Sequence, residues 1–367
     1  MTNYFWIKLI LFQQTDIKRF QKTLTVWYQT HQRKLPWRES HDPYHIWISE
    51  VMLQQTQVKT VVPYFLKFIH RFPSLNDLAE SDLETVLKMW EGLGYYARAR
   101  NFHKAAHIIS KHLNGAIPDD FSEFKNLPGV GNYIAAAVQS IAFGHSFAVV
   151  DGNVKRVLAR LYCIHHPVNK PSNHRYFQIF VDRLLDTSDP GTFNQAMMEL
   201  GALVCTPKNP QCNQCPVSEF CNAFLSDKVG SYPCRVKTKK IPTHHIAVGI
   251  VHKKGKLLIT RRQLSGLLGG LWEFPGGKLE KDESASSACI RELKEETGIT
   301  VKIKTHLTTI HHAYTHFKIK MDVFNCRYIS GKICLNGPID FKWIQLKDID
   351  NFAFPKANLK FIPMIEK

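Results

Sequence analysis

Four cysteines, Cys205, Cys212, Cys215 and Cys221, fall within seventeen residues at spacings of six, two and five. Four thiolates this close in the chain can surround one inorganic centre. Zinc sites more often pair two Cys-x2-Cys knuckles set further apart. The uneven spacing points to an iron–sulfur cube held by four cysteines, with zinc as the plainer alternative. A second acidic set lies in the run Gly277-x5-Glu283-x7-Arg291-Glu292-Leu293-x-Glu295-Glu296-x-Gly298-Ile299. Glu292, Glu295 and Glu296 stand at i, i+3 and i+4 and share one helical face, where three carboxylates suit Mg2+ against a diphosphate. A solvated charged face is the bland alternative. Two further acids stand alone. Glu50 is the one acid in YHIWISEVMLQQT, and its i±3 and i±4 neighbours are Ile46, Trp47, Leu53 and Gln54. With no intrahelical cation, a carboxyl among apolar side chains has a raised pKa and donates a proton near neutral pH. Asp151 follows the extended apolar run Phe147 to Val150 and precedes Gly152-Asn153-Val154. It is placed to cap a helix and to present a carboxylate, and both roles can hold at once.

Specific local elements must aim these groups. Pro43 starts the helix that carries Glu50. The turn Leu127-Pro128-Gly129-Val130-Gly131 leads into an apolar helix over about Tyr133 to Phe143, stopped by Gly144. Gly129 and Gly131 let the backbone approach a partner without a Cβ in the way, and the following helix N-terminus attracts an anion such as a DNA phosphate. A second amphipathic helix begins at Asp151, with Val154, Val157, Leu158 and Leu161 at helical spacing. After the Glu50 helix, Gln54 and Gln55 carry amides able to read base edges or fill the gap left by a displaced base; an exposed helix turn is the alternative. In EGLGYYARAR two glycines present Tyr95 and Tyr96, then two arginines, a pattern for an aromatic wedge beside phosphate contacts. The cysteines follow the helix FNQAMMELGALVC and staple its end.

The whole chain supports that reading. Its 367 residues allow two or three cores, and a net charge of +17 calls for an anionic polymer or surface as partner. Nine cysteines are too few for a secreted disulfide scaffold, and four clustered ones favour metal in a reducing compartment, hence the cytoplasm and its nucleoid. The apolar stretch within residues 1–14 is too short to span a bilayer and lacks the basic leader of a signal peptide. No other segment is long and apolar enough to cross one. The pattern is helical over 15–225, basic and turn-rich over 226–242, and β-rich over 243–367. The last part carries a hairpin at Lys253-Lys254-Gly255 and one helix, about Ser284 to Thr297, ended by Gly298. The expected architecture is a multidomain chain, all-α followed by α/β.

ISEVMLQQTQ, GLGYYARARN, LPGVGNYIAAAV, VVDGNVKRVLARL and the four cysteines resemble the endonuclease III superfamily of base-excision glycosylases, and more narrowly the MutY-type adenine DNA glycosylases. The resemblance covers about residues 20–225. It implies a six-helix module over about 44–145, an iron–sulfur module built from 15–43 plus 146–225, a helix-hairpin-helix grip on DNA and a [4Fe-4S] cluster. It further implies a monomer acting on duplex DNA with adenine opposite 8-oxoguanine or guanine. Glu50 then protonates adenine N7, Asp151 stabilises the sugar cation, and Tyr133 and Asn153 position Asp151 and the water. Trp37 and Arg38 edge the base pocket, and Gln55 and Tyr95 wedge the opposite strand. Bifunctional relatives carry a lysine where this chain has Tyr133, so no Schiff base is expected. The acidic run at 277–299 is a complete Nudix box. MutY-type chains usually carry a degraded one on a domain that recognises 8-oxoguanine. Here the intact box resembles that of the MutT 8-oxo-dGTP pyrophosphohydrolase, which leaves hydrolysis of oxidised nucleotides open beside lesion reading. Tyr314-Thr315-His316 stands where the family has Phe-Ser-His against 8-oxoguanine.

Overall fold

The computed structural model describes residues 14–237 and 240–365. All but the last residue of the N-terminal extension, 1–14, lies outside them. The described chain forms two compact units: residues up to 69 with 105–238, and 70–104 with 239 onward. No helix among the described residues is long and apolar enough to cross a membrane.

The first unit is helical. It contains α1 (Gln14–His31), α2 (Pro43–Leu53), most of α3 (Val58–Arg71), α7 (Phe121–Lys125), α8 (Asn132–Ile141), α9 (Gly152–Leu161), α10 (His174–Leu184), α11 (Pro190–Leu203) and α12 (Asn222–Leu225). Helix α2 starts at Pro43, with Asp42 accepting the Tyr44 N–H as its cap, and buries Tyr44 and every residue from Ile46 to Met52. It ends at Leu53, so the two glutamines lie past it, Gln55 in the left-handed region at φ 56°. Helix α9 buries Val154, Val157, Leu158 and Leu161, against α11 residues Phe193, Ala196, Met197 and Leu200. Gly201 permits that closeness, because a Cβ there would come within 2.6 Å of the Asn153 Cβ. Residues 226–237, linker-like in composition, are fastened to this unit. Arg160 donates to the Tyr232 carbonyl at 3.1 Å, and Val168 N–H to the Cys234 carbonyl at 3.0 Å.

The second unit joins α4 (Leu75–Glu80), α5 (Leu83–Met89) and the start of α6 (Ala97–His112) to a seven-stranded sheet. The strands are β1 (Thr243–Lys253), β2 (Lys256–Arg261), β3 (Trp272–Glu273), β4 (Gly276–Lys278), β5 (Thr300–Ala313), β6 (Lys318–Ser330) and β7 (Asp340–Ile344). Their order is β3-β2-β1-β6-β5, with β4 paired to β1 and β7 to β2; β1 and β6 run parallel and the other pairs antiparallel. The expected β1–β2 hairpin forms, with Lys254 and Gly255 at φ 48° and 74°, the positive angles a two-residue turn needs. Alternation along β1 sends Val248 and Ile250 to one core and Ala247 and Val251 to another. The second core is covered by α13 (Ala285–Thr297), capped by the Ser284 side chain and ended by Gly298 at φ 73°.

Residues 70–104, helical in pattern, cluster with the sheet in space. The physical reason is a set of specific bonds. Trp272 Nε1 donates to Glu84 at 2.8 Å, and Phe354 N–H to Glu91 at 2.7 Å. Lys88 donates to the Phe352 carbonyl at 3.0 Å, and Arg100 to the Gly269 carbonyl at 2.7 Å. None of these long-range pairs leaves a periodic signal in the sequence.

Candidate active site

A cavity of about 600 Å3 in the helical unit is lined by Glu50, Asp151, Tyr133, Asn153, Trp37 and Arg38 among others. Glu50 and Asp151, a hundred residues apart in the chain, therefore share one cleft. A volume of that size accommodates a nucleoside.

Glu50 is 6% exposed, and the Tyr133 hydroxyl donates to its Oε2 at 2.6 Å. Burial pushes its pKa up from 4.5 to about 7; the Asp151 charge adds to this, while the Tyr133 bond and Arg38 act against it. A rise of that size represents roughly 3 kcal/mol of differential interaction favouring the protonated form. Tyr133 is pushed well above 10 by its own burial and by the nearby carboxylates, so it stays protonated as a donor. Its bond occupies one Glu50 oxygen and leaves the other to carry a transferable proton.

Asp151 caps α9, accepting the Val154 N–H at 2.7 Å and the Asn153 side-chain amide at 2.8 Å. Burial raises its pKa, and those donors together with Arg156 oppose the rise. Arg156 donates to the Asn153 side-chain oxygen at 2.9 Å, to the Gly201 carbonyl at 2.7 Å and to the Cys205 carbonyl at 2.7 Å. The amide orientation of Asn153 is thus fixed from both ends, and through it the Asp151 carboxylate.

Trp37 is buried and meets Phe65 edge-on at 5.3 Å between ring centroids. Arg38 bonds Glu199 at 3.0 and 3.3 Å, so it is an ion-pair partner as well as a pocket wall. Gln54 and Gln55 are outside the lining; Thr56, Gln57 and Lys59 take that place. Sequence reasoning also passed over Arg33, Gln195, Met198 and Glu199, all of which line the cavity. The Arg33-x4-Arg38 pair beside Trp37 was the available signal; Glu199, the one charged residue of α11, was another.

Between α7 and α8 the hairpin turns at Gly129, φ 80°, and buries Leu127. Gly131 is the N-cap of α8 and makes no side-chain capping bond, so no side chain competes with an anion for the helix amides.

Cys205, Cys212, Cys215 and Cys221 form no disulfide and rim one small cavity together with Arg160. Arg160 donates to the Cys205 sulfur at 3.2 Å. A cationic donor at a thiolate and four sulfurs around one void fit an iron–sulfur group.

In the sheet unit, Glu292 and Glu296 are seated against Gly276 and Gly277 of β4. Gly276 N–H donates to Glu296 at 3.0 Å, and a Cβ on Gly277 would come within 2.3 Å of the Glu292 carboxylate. Burial lifts Glu296 to about 8. Glu295 is half exposed and bonds Arg291 at 3.0 Å. Arg291 also holds Glu292 at 3.0 Å and Glu283 at 2.8 Å. Glu292 and Glu295 thus share Arg291 as a bonded partner.

Tyr314, Thr315 and His316 form the β5–β6 turn, closed by Tyr314 N–H on the Phe317 carbonyl at 2.8 Å. Tyr314 packs against His312 and Phe317, while Thr315 and His316 are exposed. Tyr95, itself at φ 50°, meets Thr315 hydroxyl to hydroxyl, so two residues expected at the DNA adjoin within this unit.

Residues 48–176 match the family profile of the HhH-GPD superfamily base excision DNA repair protein, residues 205–221 the iron-sulfur binding domain of endonuclease III, and residues 246–364 the NUDIX domain. Fold and site thus define a DNA glycosylase of the helix-hairpin-helix class joined to a Nudix fold. Adenine DNA glycosylase of Mus musculus is 33% identical, the match covering 96% of this chain and 78% of that protein. The enzyme of the same name from Buchnera aphidicola subsp. Baizongia pistaciae (strain Bp) is 40% identical over 70% of this chain and 73% of its own. The chain belongs to the adenine DNA glycosylase family. A solved thermostable thymine-DNA glycosylase is 29% identical, with a TM-score of 0.53 over 58% of this chain and 98% of that one.

Proposed function

We propose that this enzyme is a monofunctional, monomeric glycosylase that excises adenine paired with 8-oxoguanine or guanine in duplex DNA. The observation that carries the reading is one cleft shared by Glu50, whose pKa burial lifts to about 7, and a hydrogen-bonded Asp151. Adenine departs poorly as an anion. Glu50, oriented by Tyr133, delivers a proton to N7 so that the base leaves neutral. The sugar left behind is oxocarbenium-like, and the Asp151 carboxylate on the other side stabilises it, following the two-carboxylate logic of glycoside hydrolysis. The everted base enters past Trp37, at a flipping cost of a few kcal/mol that a mispair lowers. The four cysteines would hold a [4Fe-4S] cluster that braces the end of α11 through Cys205, and no step of base removal needs its redox chemistry. Net charge supports DNA as the working surface, hence the nucleoid in the cytoplasm. Tyr314, Thr315, His316 and Tyr95 would read the opposite base.

A single-turnover assay on adenine opposite 8-oxoguanine, guanine and thymine tests the reading. Alkali-labile sites should form fastest opposite 8-oxoguanine. Strand nicking without alkali, trapped by borohydride, would contradict the absence of a lysine at position 133.

A second activity at the Nudix box is favoured by one observation, the seating of Glu292 and Glu296 on Gly277 and Gly276. Were Arg291 to release Glu292 and Glu295, these acids would hold Mg2+, which would polarise a diphosphate. Release of pyrophosphate from 8-oxo-dGTP, lost on Glu295→Gln with Glu296→Gln, is the test; unchanged nucleotide at high enzyme rejects it.

A further inference from the structure

The cavity around Glu50 contains a charge cluster that the excision chemistry above leaves unused. Glu199 from α11 is 1% exposed, and both its oxygens are saturated. Its Oε1 accepts the Arg33 backbone N–H at 2.8 Å, Arg33 Nε at 2.8 Å and Arg38 Nη1 at 3.3 Å. Its Oε2 accepts Arg33 Nη2 at 2.7 Å and Arg38 Nη2 at 3.0 Å. Despite burial, the two guanidiniums hold its pKa down to about 2, so it is a fixed negative charge at working pH. It exchanges no proton there, and its effect on chemistry passes through the arginines.

Those arginines border an acid that has to stay neutral. The charged and titratable groups lining the cavity around Glu50 are Tyr133 on α8, Asp151 at the head of α9, Arg33 and Arg38 ahead of α2, Lys59 on α3 and Glu199 on α11. Arg38 already acts to strip the Glu50 proton. With Glu199 in place, the two guanidiniums and one carboxylate sum to a single positive charge, and the fork geometry pins both cations. Without it, two positive charges stand unpinned in the cleft that Glu50 and Asp151 also line. Buried unpaired cations seek such partners because the low dielectric makes isolation costly.

We propose that Glu199 is a positioning residue for base excision: by holding Arg33 and Arg38 it prevents either guanidinium from pairing with Glu50, so that the acid meets the substrate still carrying its proton. This rests on the reading of Glu50 as general acid.

The test is the pH dependence of single-turnover adenine release by the full-length, cluster-loaded enzyme. In the wild type the rate falls as pH rises through the Glu50 pKa near 7. In Glu199→Gln that falling limb should move to lower pH by on the order of one unit, a partial loss of the charge compensation. The rate one unit above neutrality then drops about tenfold, while the rate well below the limb stays close to wild type. Arg38→Met should move the limb the opposite way, and adding it to Glu199→Gln should bring the limb back toward the wild-type position. A drop by the same factor at every pH, with the limb unmoved, is what a purely structural Glu199 gives and would overturn the proposal. Should Glu199→Gln fail to fold or lose its cluster, Arg38→Met decides alone, an unmoved limb counting against the proposal. Glu50→Gln separates the two levels. If it still releases adenine, the general-acid reading itself is wrong. If it is inactive and the limbs do not move, only the role of Glu199 falls.

Discussion

Glutamates of the two units invite comparison. In the helical unit Glu50 is buried with a tyrosine hydroxyl as its bonded partner and rises to about 7. In the sheet unit Glu283 takes a bidentate contact from Arg291 and is held at about 2. The same side chain is an acid in one place and a fixed anion in the other. What differs is burial around the first and a bonded guanidinium on the second. Glu199 belongs to the second kind although it lines the cavity of the first, and Glu296, buried against a backbone N–H, belongs to the first kind although it lies among the second. Burial and bonded neighbours together, not the residue type or the local helix, set the chemistry.

The contrast can be broken most sharply at Glu50 itself. Glu50→Gln should lower single-turnover adenine release by about 10^2 to 10^4-fold, the usual worth of a general acid, with mispair binding in a gel-shift assay retained. The same variant should gain stability as its activity disappears. Between the unfolded pKa of 4.5 and the folded value near 7, the folded wild type binds a proton that the unfolded chain does not. Its stability therefore falls as pH rises across that window, by up to roughly 3 kcal/mol, and denaturant titrations of Glu50→Gln should stay flat there. Next in size, Tyr133→Phe removes a bond that holds the Glu50 pKa down. The falling limb of the pH–rate profile should move alkaline, with a rate loss of about tenfold at its plateau from a poorly oriented carboxyl.

On the other side of the comparison, Gly277→Ala drives a Cβ to 2.3 Å from the Glu292 carboxylate. It should destabilise the sheet unit by no more than about 1 kcal/mol in a calorimetric melt, because the atoms met are the far end of a flexible side chain that can swing aside. The smallest effect belongs to Arg291→Met, which frees Glu283, Glu292 and Glu295. Adenine release should change less than about twofold, since surface ion pairs are individually weak. Mg2+ affinity by titration calorimetry should increase, because an acid cluster loses its resident cation.

The sequence was legible wherever the physics is local. The cap of α9 at Asp151, the left-handed Gly298 after α13 and the turn at Lys254-Gly255 follow from short-range backbone rules, and all three are present. The cysteine spacing belongs with them, since four thiols within seventeen residues line one small cavity. The three glutamates of α13 share a face as their spacing requires, but the spacing could not say that Arg291 would clamp two of them.

What only the tertiary structure decided is which distant groups face each other. Glu50 and Tyr133 lie 83 positions apart, and Arg33 and Glu199 lie 166 apart. No periodicity encodes such a pair, because each partner satisfies its own helix equally well alone. The assignment of residues 70–104 to the sheet unit is of the same kind, carried by side chains such as Glu84 and Glu91 whose partners are more than 180 residues away. Helical pattern fixes which face of a segment is apolar, while packing alone fixes which other segment covers it, and a carboxyl's proton depends on the latter.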